Sequence, residues 1–390
     1  MRRAYKFQLR PTCRQAAALS AMLEDHRVLY NAALEHRRTA FQKAGASIGY
    51  GNQSADLKDI RREDPDGQGR WSFSSQQATL RRLDKAFRAF FRRVQAGQAP
   101  GYPRFKGRGW FDAVEFPKDG DGCRWDCVPG QVRVRLQGVG HVKVNRHRTV
   151  EGTVKTISVK REGRRWYAVL SCDGVPASRL PQTGAVVGID MGIASFLTTS
   201  DGRHIDNPRY ARAAAGKLAA AQQNLSGKKP GGNRRRKARE RVAAVHRKIR
   251  NQRIDFARKT ALALVRGNDL IVHEALKVTN MTRGASGTLQ APGRNVAQKT
   301  GLNRSIHDAG WGVFLNVLHA KAESAGRVVV EVDPRHTSQR CSRCGHTAKE
   351  NRITQAQFKC LSCSFSAHAD QNAAANILRA GLALQAAQAA

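Results

Sequence analysis

Apolar residues at helical spacing dominate the first hundred positions of the chain. Residues 1–11 are typical of a short strand, and residues 13–36 carry apolar side chains three and four positions apart, which predicts a helix. A Gly- and Asp-rich loop separates this helix from a second one, whose apolar face comprises Leu80, Leu83, Phe87, Phe90 and Val94. The opposite face of the second helix comprises Arg81, Arg82, Lys85, Arg88, Arg92 and Arg93. A solvated helix packed on a core and a phosphate-binding helix explain this basic face equally well.

The pattern changes to strict alternation between residues 131 and 172. Apolar side chains alternate with polar ones in four runs, at Val132, Val134 and Leu136, at Val142 and Val144, at Ile157 and Val159, and at Trp166, Ala168 and Leu170. The tetrapeptide REGR between the last two runs is typical of a hairpin turn. We therefore expect an antiparallel sheet or small barrel. The N-terminal strand would complete it, so that the helices of residues 13–95 would form an insertion.

Apolar strands alternate with helices in the second half of the chain. Strands are predicted at residues 184–190, 269–276 and 326–334, with another that turns at residues 200–202. Two long basic helices are predicted in residues 211–260, with a break at 227–232. A polar loop at 281–304 leads to a helix over about 305–325, and the last helix begins near Asp370. Residues after 380 are expected to fray.

The loop PGYPRFKGRG, residues 100–109, sets aromatic side chains among basic ones. Tyr102 and Phe105 could stack on bases while Arg104 and Lys106 hold phosphates. Taken alone, the loop is explained better as an ordinary linker with buried aromatic side chains.

The charge of the chain indicates a polyanionic partner. Its 390 residues include 68 Lys and Arg against 30 Asp and Glu, a formal net charge of +38. Nucleic acid is the first candidate for this partner, and an anionic membrane surface is the second. No apolar run reaches the roughly 20 residues that span a bilayer, and the basic N-terminus has no apolar signal segment. We therefore expect a cytoplasmic protein with reduced cysteines.

Four of the eight cysteines have the spacing of a structural zinc site. Cys341, Cys344, Cys360 and Cys363 form two C-x-x-C pairs with fifteen residues between them. Four thiolates close a tetrahedral Zn²⁺ site, so one structural zinc per chain is predicted, which would supply the folding energy of a ribbon too small to bury a core. The remaining cysteines, Cys13, Cys123, Cys127 and Cys172, have no comparable pattern and are interpreted as structural.

Three carboxylates are candidates for a catalytic metal site. Asp190 ends one predicted strand, Glu274 ends another, and Asp370 opens the last helix. Taken singly, each is explained more simply as a turn former or a helix cap. Taken together, they could meet at one edge of a mixed sheet and hold two Mg²⁺ or Mn²⁺ ions for phosphodiester cleavage. Asp333, which also ends a strand, is an alternative that spacing does not exclude.

Five segments of the chain together resemble the TnpB family, transposon-encoded proteins similar to the miniature type V CRISPR nucleases. In chain order they are GIDMGI, HEALKVTNM, HDAGWGVFLNVL, VDPRHTSQRCSRCG and HADQNAAANIL, a match that extends over about 184–380. LYNAALEHR and GYPRFKGR carry a looser match in the N-terminal half. The resemblance implies an RNA-guided DNA endonuclease that acts as a monomer with one RNA in the bacterial cytoplasm, at the nucleoid. Its partners would be a guide RNA from the transposon end and double-stranded target DNA next to a short flanking motif.

The resemblance also implies an α/β and α+β multidomain fold. A small wedge β-barrel would comprise residues 1–11 and 105–180, with a helical recognition domain at 12–104 inserted in it. An RNase H-like RuvC nuclease domain would comprise residues 181–340 and 364–382, interrupted by a zinc ribbon at 341–363 and followed by a flexible tail at 383–390. Asp190, Glu274 and Asp370 would be the three RuvC metal ligands. The ribbon would anchor the Asp370 helix, whose small residues Ala373, Ala374 and Ala375 would let it approach the sheet.

Nucleic-acid contacts are expected from aromatic and basic residues in both halves of the chain. They are Tyr30, Asn31, Arg81, Arg82, Lys85, Arg88, Tyr102, Arg104, Phe105, Lys106, Arg234, Arg235, Arg236 and Lys237. Two other functions remain open, namely a transposase that joins DNA without a guide and a guide-directed repressor that does not cut. The presence of all three acids disfavours the repressor.

Overall fold

The chain folds into two units, Met1–Pro176 and Ala177–Ala390. The computed structural model describes residues 1–128, 131–288 and 290–389, without the side chains of residues 127, 128, 131 and 389. Each unit has its own sheet and its own hydrophobic core. Within the described ranges, no helix is both long and apolar enough to cross a bilayer.

The first unit combines a sheet with helices that follow its first strand. Its elements are β1 (Arg3–Arg10), α1 (Cys13–Ala44), α2 (Tyr50–Glu63), α3 (Phe73–Gln95), β2 (Ala113–Phe116), β3 (Cys123–Val128), β4 (Gln131–Leu136), β5 (Gly140–Asn145), β6 (Thr153–Glu162) and β7 (Arg165–Asp173). The four alternating runs are thereby confirmed as β4 to β7. The hydrophobic pattern does not predict α2, because this helix buries only Gln53 and Leu57.

The strands of the first unit form a seven-stranded antiparallel sheet in the order β2-β6-β7-β1-β5-β4-β3. β1 lies at its centre, where Leu9 is paired with Trp166 of β7 and Val144 of β5. This pairing confirms that the N-terminal strand completes the sheet. The helices α1, α2 and α3 are therefore an insertion between β1 and β2.

The first helix begins where its sequence predicts but extends past the predicted end at residue 36 to Ala44. α1 begins at a capping box, in which the side chains of Thr12 and Gln15 each accept a hydrogen bond from the other's backbone N–H. In α3, Leu80, Leu83 and Phe87 are buried as expected. Val94 is 49% exposed, so its assignment to the buried face is wrong, since it lies in the last turn of the helix.

His26 is an ionisable side chain that is fully buried between α1 and α3. Its Nδ1 lies 2.8 Å from the carbonyl oxygen of Met22 and its Nε2 lies 2.9 Å from Ser75 Oγ. A neutral ring satisfies both contacts when Nδ1–H donates to Met22 and Nε2 accepts from the Ser75 hydroxyl. Burial lowers the pKa of His26 from 6.5 to about 4, against the opposing effect of the Met22 carbonyl.

His26 should make the stability of the chain depend on pH. The unfolded chain binds a proton at His26 near pH 6.5, and the folded chain binds it only near pH 4. The contribution of neutral His26 to the free energy of unfolding is therefore fully present above pH 6.5 and is lost as the pH falls from 6.5 towards 4. Between pH 7 and pH 5 the loss should be about 2 kcal/mol. Urea unfolding of the full chain and of His26→Asn at both pH values measures it: the variant should lose about 2 kcal/mol less than the parent. Equal losses would contradict the burial argument.

The second unit contains a mixed sheet and one long basic helix, α6. Its elements are β8 (Val186–Asp190), β9 (Ser195–Thr199), β10 (His204–Asp206), α4 (Tyr210–Ala213), α5 (Ala215–Ser226), α6 (Asn233–Gly267), β11 (Leu270–Glu274), α7 (Val278–Met281), α8 (Val296–Ala309), α9 (Trp311–Ala325), β12 (Val328–Val332), β13 (Gln357–Lys359), β14 (Ser366–His368) and α10 (Ala369–Ala389). The predicted strands and the break at residues 227–232 are confirmed. Of the two long basic helices expected, only α6 is long and basic, since α5 has 12 residues and Lys217 is its one cation.

Five strands of the second unit form a sheet in the order β10-β9-β8-β11-β12. β10, β9 and β8 are antiparallel neighbours, whereas β8, β11 and β12 run parallel. Helix α10 packs closely on this sheet, because a Cβ atom at Gly188 of β8 would lie 2.2 Å from the carbonyl oxygen of Ala374. Ala373 and Ala374 are buried there, which confirms that small side chains allow this approach.

Three predictions about the second unit need correction. The helix expected over about 305–325 is two helices, α8 and α9, because Gly310 adopts a left-handed backbone with φ of +72° between them. The polar loop expected at 281–304 is shorter, since α8 begins at Val296. Residues 383–389, assigned from the sequence to a flexible tail, belong to α10.

Candidate metal centres and nucleic-acid surface

Asp190, Glu274 and Asp370 meet at one edge of the second sheet. Asp190 ends β8 and Glu274 ends β11, and these strands are parallel neighbours, so their carboxyl ends lie side by side. Asp370 is the second residue of α10, which packs on β8 and β11. Burial raises the pKa of Asp190 to about 7, with further increases from the negative charges of Glu274 and Asp370. Asp190 therefore interacts electrostatically with each of the other two carboxylates.

Two neighbouring side chains orient the carboxylates. The Thr337 hydroxyl donates a hydrogen bond of 2.5 Å to Glu274 Oε1. Burial raises the pKa of Glu274, and this hydrogen bond opposes the increase. Arg352 Nη2 donates to Asp370 Oδ1 at 3.3 Å. Sequence reasoning did not identify Thr337 or Arg352, which lie far from the carboxylates along the chain.

The donor set at this edge fits divalent cations with a preference for oxygen. Asp190, whose pKa is raised by burial and by the charges of Glu274 and Asp370, favours a positive charge nearby, and Mg²⁺ is bound by a few carboxylates together with water. In the described residues, ligand atoms within 4.8 Å of one another occur at the four cysteines and at His273, His319 and Glu331, but not at the three carboxylates.

Asp333, the alternative ligand, is a turn residue. Its Oδ1 accepts a hydrogen bond of 3.0 Å from the backbone N–H of Arg335, and its side chain is 65% exposed. Asn and Asp side chains commonly stabilise turns by accepting from a backbone N–H two residues on. The geometry therefore gives Asp333 a local structural contact.

Cys341, Cys344, Cys360 and Cys363 form a cluster that could hold a zinc ion. All four Sγ atoms lie within 4.8 Å of one another, and the Cys341–Cys363 and Cys344–Cys360 Sγ pairs are 3.7 Å and 3.5 Å apart. Tetrahedral Zn²⁺ with bonds of about 2.3 Å places its sulfur ligands about 3.8 Å apart. The predicted cluster is therefore confirmed, and its donor set fits zinc.

Two asparagines of α10 form hydrogen bonds with the backbone beside this cysteine cluster. Asn372 Oδ1 accepts from the Ser342 N–H at 2.9 Å, and its Nδ2 donates to the Arg340 carbonyl at 2.8 Å. Asn376 Nδ2 donates to the carbonyls of Thr337 and Arg340. The cluster and the helix that carries Asp370 thus share hydrogen bonds. The sequence around Asn372 and Asn376 contains no motif that predicts this role.

The remaining cysteines do not join a described cluster. Cys123 and Cys172 are buried, and burial raises the pKa of both thiols. Cys13 is exposed at the start of α1. The side chain of Cys127 lies outside the described residues.

The basic residues predicted to bind nucleic acid differ in exposure. Arg81, Arg82, Lys85 and Arg88 are exposed along α3, and Arg88 forms an ion pair with Asp84. In α6, Arg234, Arg236 and Lys237 are exposed. Arg235 instead donates to the carbonyls of Leu225 and Lys228, so it stabilises the turn between α5 and α6.

The loop at residues 100–109 is fixed by contacts with α1 and α3. Tyr102 packs against Phe87 and Phe90, with ring centroids 5.6 Å and 5.3 Å away. Asn31 donates to the Lys106 carbonyl and accepts from its N–H, and the buried ring of Tyr30 lies beneath the Lys106 ammonium. Tyr30 and Asn31 therefore support the loop, while Tyr102, Arg104 and Phe105 are exposed on it.

Comparison with known proteins identifies the family. Over 385 residues the chain is 35% identical to "Putative RNA-guided DNA endonuclease InsQ" of Escherichia coli (strain K12), with 98% of this chain and 92% of that protein covered. The chain belongs to the TnpB family. A second relative, "Putative RNA-guided DNA endonuclease" of Streptomyces pristinaespiralis, is 33% identical over 398 residues and covers 99% of this chain and 91% of its own length.

Family models match three parts of this TnpB-family chain. Residues 157–285 match "Probable transposase", residues 311–377 match "Cas12f1-like, TNB domain", and residues 1–46 match "Helix-turn-helix domain". The last of these segments forms β1 and the long helix α1, which is unbroken up to Ala44. The chain is also similar to a solved structure, "Cryo-EM structure of the Cas12f1-sgRNA-target DNA complex". The match covers 97% of this chain and 99% of that chain, with 17% sequence identity and a TM-score of 0.36.

Proposed function

We propose that the chain is an RNA-guided DNA endonuclease encoded by a transposon, which cuts guide-matched DNA next to a short flanking motif. The observation that carries this proposal is the meeting of Asp190, Glu274 and Asp370 at one sheet edge in a member of the TnpB family. Guide pairing would supply sequence specificity, and the protein would recognise the flanking motif and the shape of the heteroduplex. We take the working form to be a monomer with one RNA in the bacterial cytoplasm.

The catalytic roles follow from the chemistry of the three carboxylates. Asp190, Glu274 and Asp370 would hold two Mg²⁺ or Mn²⁺ ions. Such ions, when bound, activate water and stabilise the leaving oxygen. Thr337 fixes one oxygen of Glu274 and Arg352 one oxygen of Asp370, so these two side chains limit the rotation of the ligands. Partial burial of the carboxylates reduces competition from bulk water.

The domain assignment is part of the same proposal. An RNase H-like RuvC domain would comprise residues 181–340 and 364–382, with a zinc ribbon at 341–363. Three antiparallel strands continued by two parallel ones, with Asp190 at the end of the central strand, support this assignment. A wedge domain would comprise residues 1–11 and 105–180, with the recognition helices at 12–104, which the position of β1 at the centre of the first sheet supports. The four cysteines would hold one structural Zn²⁺.

Copurified RNA is the direct test of guide dependence. We expect the protein purified from cells that carry its transposon end to contain a discrete RNA, and to cut a plasmid only when the plasmid contains a sequence matching that RNA. Cleavage or strand joining after complete removal of RNA would favour the guide-independent transposase. Guide-dependent binding without cleavage in Mg²⁺ or Mn²⁺ would favour the repressor.

Neutralising the exposed basic side chains at the start of α6 should weaken RNA binding without regard to sequence. Residues 211–260 contain sixteen Lys and Arg against two acids, and Arg234, Arg236 and Lys237 are exposed. In a triple Gln variant of these three, the slope of log K against log salt should become shallower by up to about 2–3, roughly 0.7–0.9 for each phosphate that the protein no longer neutralises. Arg235 is left intact because it holds the preceding turn.

A second triple Gln variant with the same net charge should separate the loss of phosphate contacts from the loss of total charge. Arg2, Lys160 and Lys259 each form an ion pair with an aspartate at 2.8–3.3 Å, closer than the 3.9 Å between Arg236 and Glu240, so replacing these three with Gln removes the same charge from more tightly paired positions. We expect this variant to keep most of the parent's salt dependence. Equal changes in the two variants would mean that binding responds only to net charge.

A further inference from the structure

A third group of side chains that could hold a metal ion lies apart from the carboxylates and the cysteines. It consists of His273 on β11, His319 on α9 and Glu331 on β12. His273 directly precedes Glu274, and successive side chains of a strand point to opposite faces. His273 therefore points away from the face on which Glu274 approaches the other carboxylates.

The distances within this group match the coordination radius of a small transition metal. His273 Nε2 lies 3.1 Å from His319 Nε2, and Glu331 Oε1 lies 3.8 Å and 4.0 Å from these two nitrogens. A point equidistant from three atoms so separated lies about 2.1 Å from each of them, which is the length of Zn–N and Zn–O bonds.

The buried histidine already has the orientation of a ligand. His273 is 0% exposed, and its Nδ1 lies 2.9 Å from the carbonyl oxygen of Glu274. Donation from Nδ1–H to this carbonyl leaves the lone pair on Nε2, which faces His319 and Glu331. Metal-binding histidines typically donate their other ring N–H to a carbonyl or carboxylate in this way.

We propose that His273, His319 and Glu331 bind a divalent transition-metal ion, for which Zn²⁺ is the best match. Two imidazole nitrogens and one carboxylate oxygen suit Zn²⁺ and its neighbours in the first transition series, whereas Mg²⁺ prefers oxygen ligands alone. His319 and Glu331 are exposed, so the remaining coordination positions face solvent. The ion would join β11, β12 and α9 next to Glu274, as a second zinc in addition to the one at the cysteines.

A hydrogen bond between the two histidines is the alternative explanation. The 3.1 Å contact is also satisfied if His319 Nε2–H donates to His273 Nε2, with Glu331 as a solvated carboxylate nearby. This arrangement needs no ion. The two explanations differ in the amount of zinc that the chain binds.

Zinc stoichiometry and affinity of the purified full chain test the site without any measurement of cleavage, so the result is independent of the proposed function. The chain is titrated with Zn²⁺ by calorimetry in the presence of millimolar Mg²⁺, and its metal content is measured after saturation. We expect two zinc ions per chain in the parent. His319→Ala and Glu331→Gln, both at exposed positions, should weaken the second binding event by at least about tenfold.

Three control variants assign the second ion. His307→Ala removes an exposed histidine of α8 and should leave two zinc ions per chain. Asp190→Ala should also retain both ions, and Cys341→Ser should lose only the ion at the cysteines. A parent chain that binds one zinc, or a second zinc unaffected by His319→Ala and Glu331→Gln, would overturn the proposal. So would the loss of that ion in Asp190→Ala or its displacement by Mg²⁺.

Discussion

Asp190→Ala should abolish DNA cleavage and leave RNA and target binding unchanged. The negative charges of Glu274 and Asp370 both raise the pKa of Asp190. Replacing Asp190 therefore removes the carboxylate that interacts with both of the others. The cleavage rate should fall by at least about a thousandfold, because Asp190 would be one of the carboxylates that hold the ions and its loss would weaken their binding. The measurement is cleavage of a guide-matched plasmid in Mg²⁺ or Mn²⁺, beside binding of the same target. The parent should stop in EDTA and recover when the metal is restored.

Asp333→Ala is the matched control for this experiment. Asp333 also ends a strand, but its carboxylate is 65% exposed and accepts from the backbone of Arg335, so its removal should leave most of the cleavage. Strong cutting by Asp190→Ala would exclude the proposed ligand set. Loss of binding together with cutting would make Asp190 structural, and inactivity of Asp333→Ala with normal binding would show that the site uses other carboxylates.

The sequence predicts the acidic site because strand ends are local features. Apolar runs stop at Asp190 and Glu274, and parallel pairing of these two runs brings their ends together. The same reasoning cannot identify Thr337 and Arg352. Their hydrogen bonds to Glu274 and Asp370 depend on how the segment after β12 returns to the sheet, and no periodic pattern encodes that path.

Helix boundaries are harder to predict from the sequence than the sheet. The apolar pattern over residues 305–325 is continuous, but a left-handed backbone at Gly310 divides it between the end of α8 and α9. In the basic run, Arg235 has the same residue type as Arg234 and Arg236, and only the carbonyls at the end of α5 give it a different contact. A run of basic residues therefore predicts a phosphate-binding surface, but it does not show which of the side chains are available to bind phosphate.

Cys341→Ser should remove the tightly held zinc and reduce cleavage by about tenfold or more, with RNA binding preserved. A structural zinc contributes about 10–16 kcal/mol to the folding of small zinc-finger peptides, so the segment between β12 and α10 should lose its order without the ion. This segment shares hydrogen bonds with Asn372 and Asn376, and its Arg352 contacts Asp370. Zinc retained after desalting, plasmid cleavage and RNA affinity are measured on the same preparation.

Cys13→Ser tests whether the effect belongs to the cluster. Cys13 is exposed at the first position of α1, outside the described cysteine cluster, so its replacement should change neither zinc content nor cleavage. A native chain without tightly held zinc would overturn the assignment of the cysteines. Full cleavage by a zinc-free Cys341→Ser chain would leave the assignment of the cysteines as zinc ligands standing, but it would contradict a role of the zinc in positioning Asp370. Loss of RNA binding in that variant would extend the role of the cluster to the RNA itself, because the exposed cations of α6 are unchanged in it.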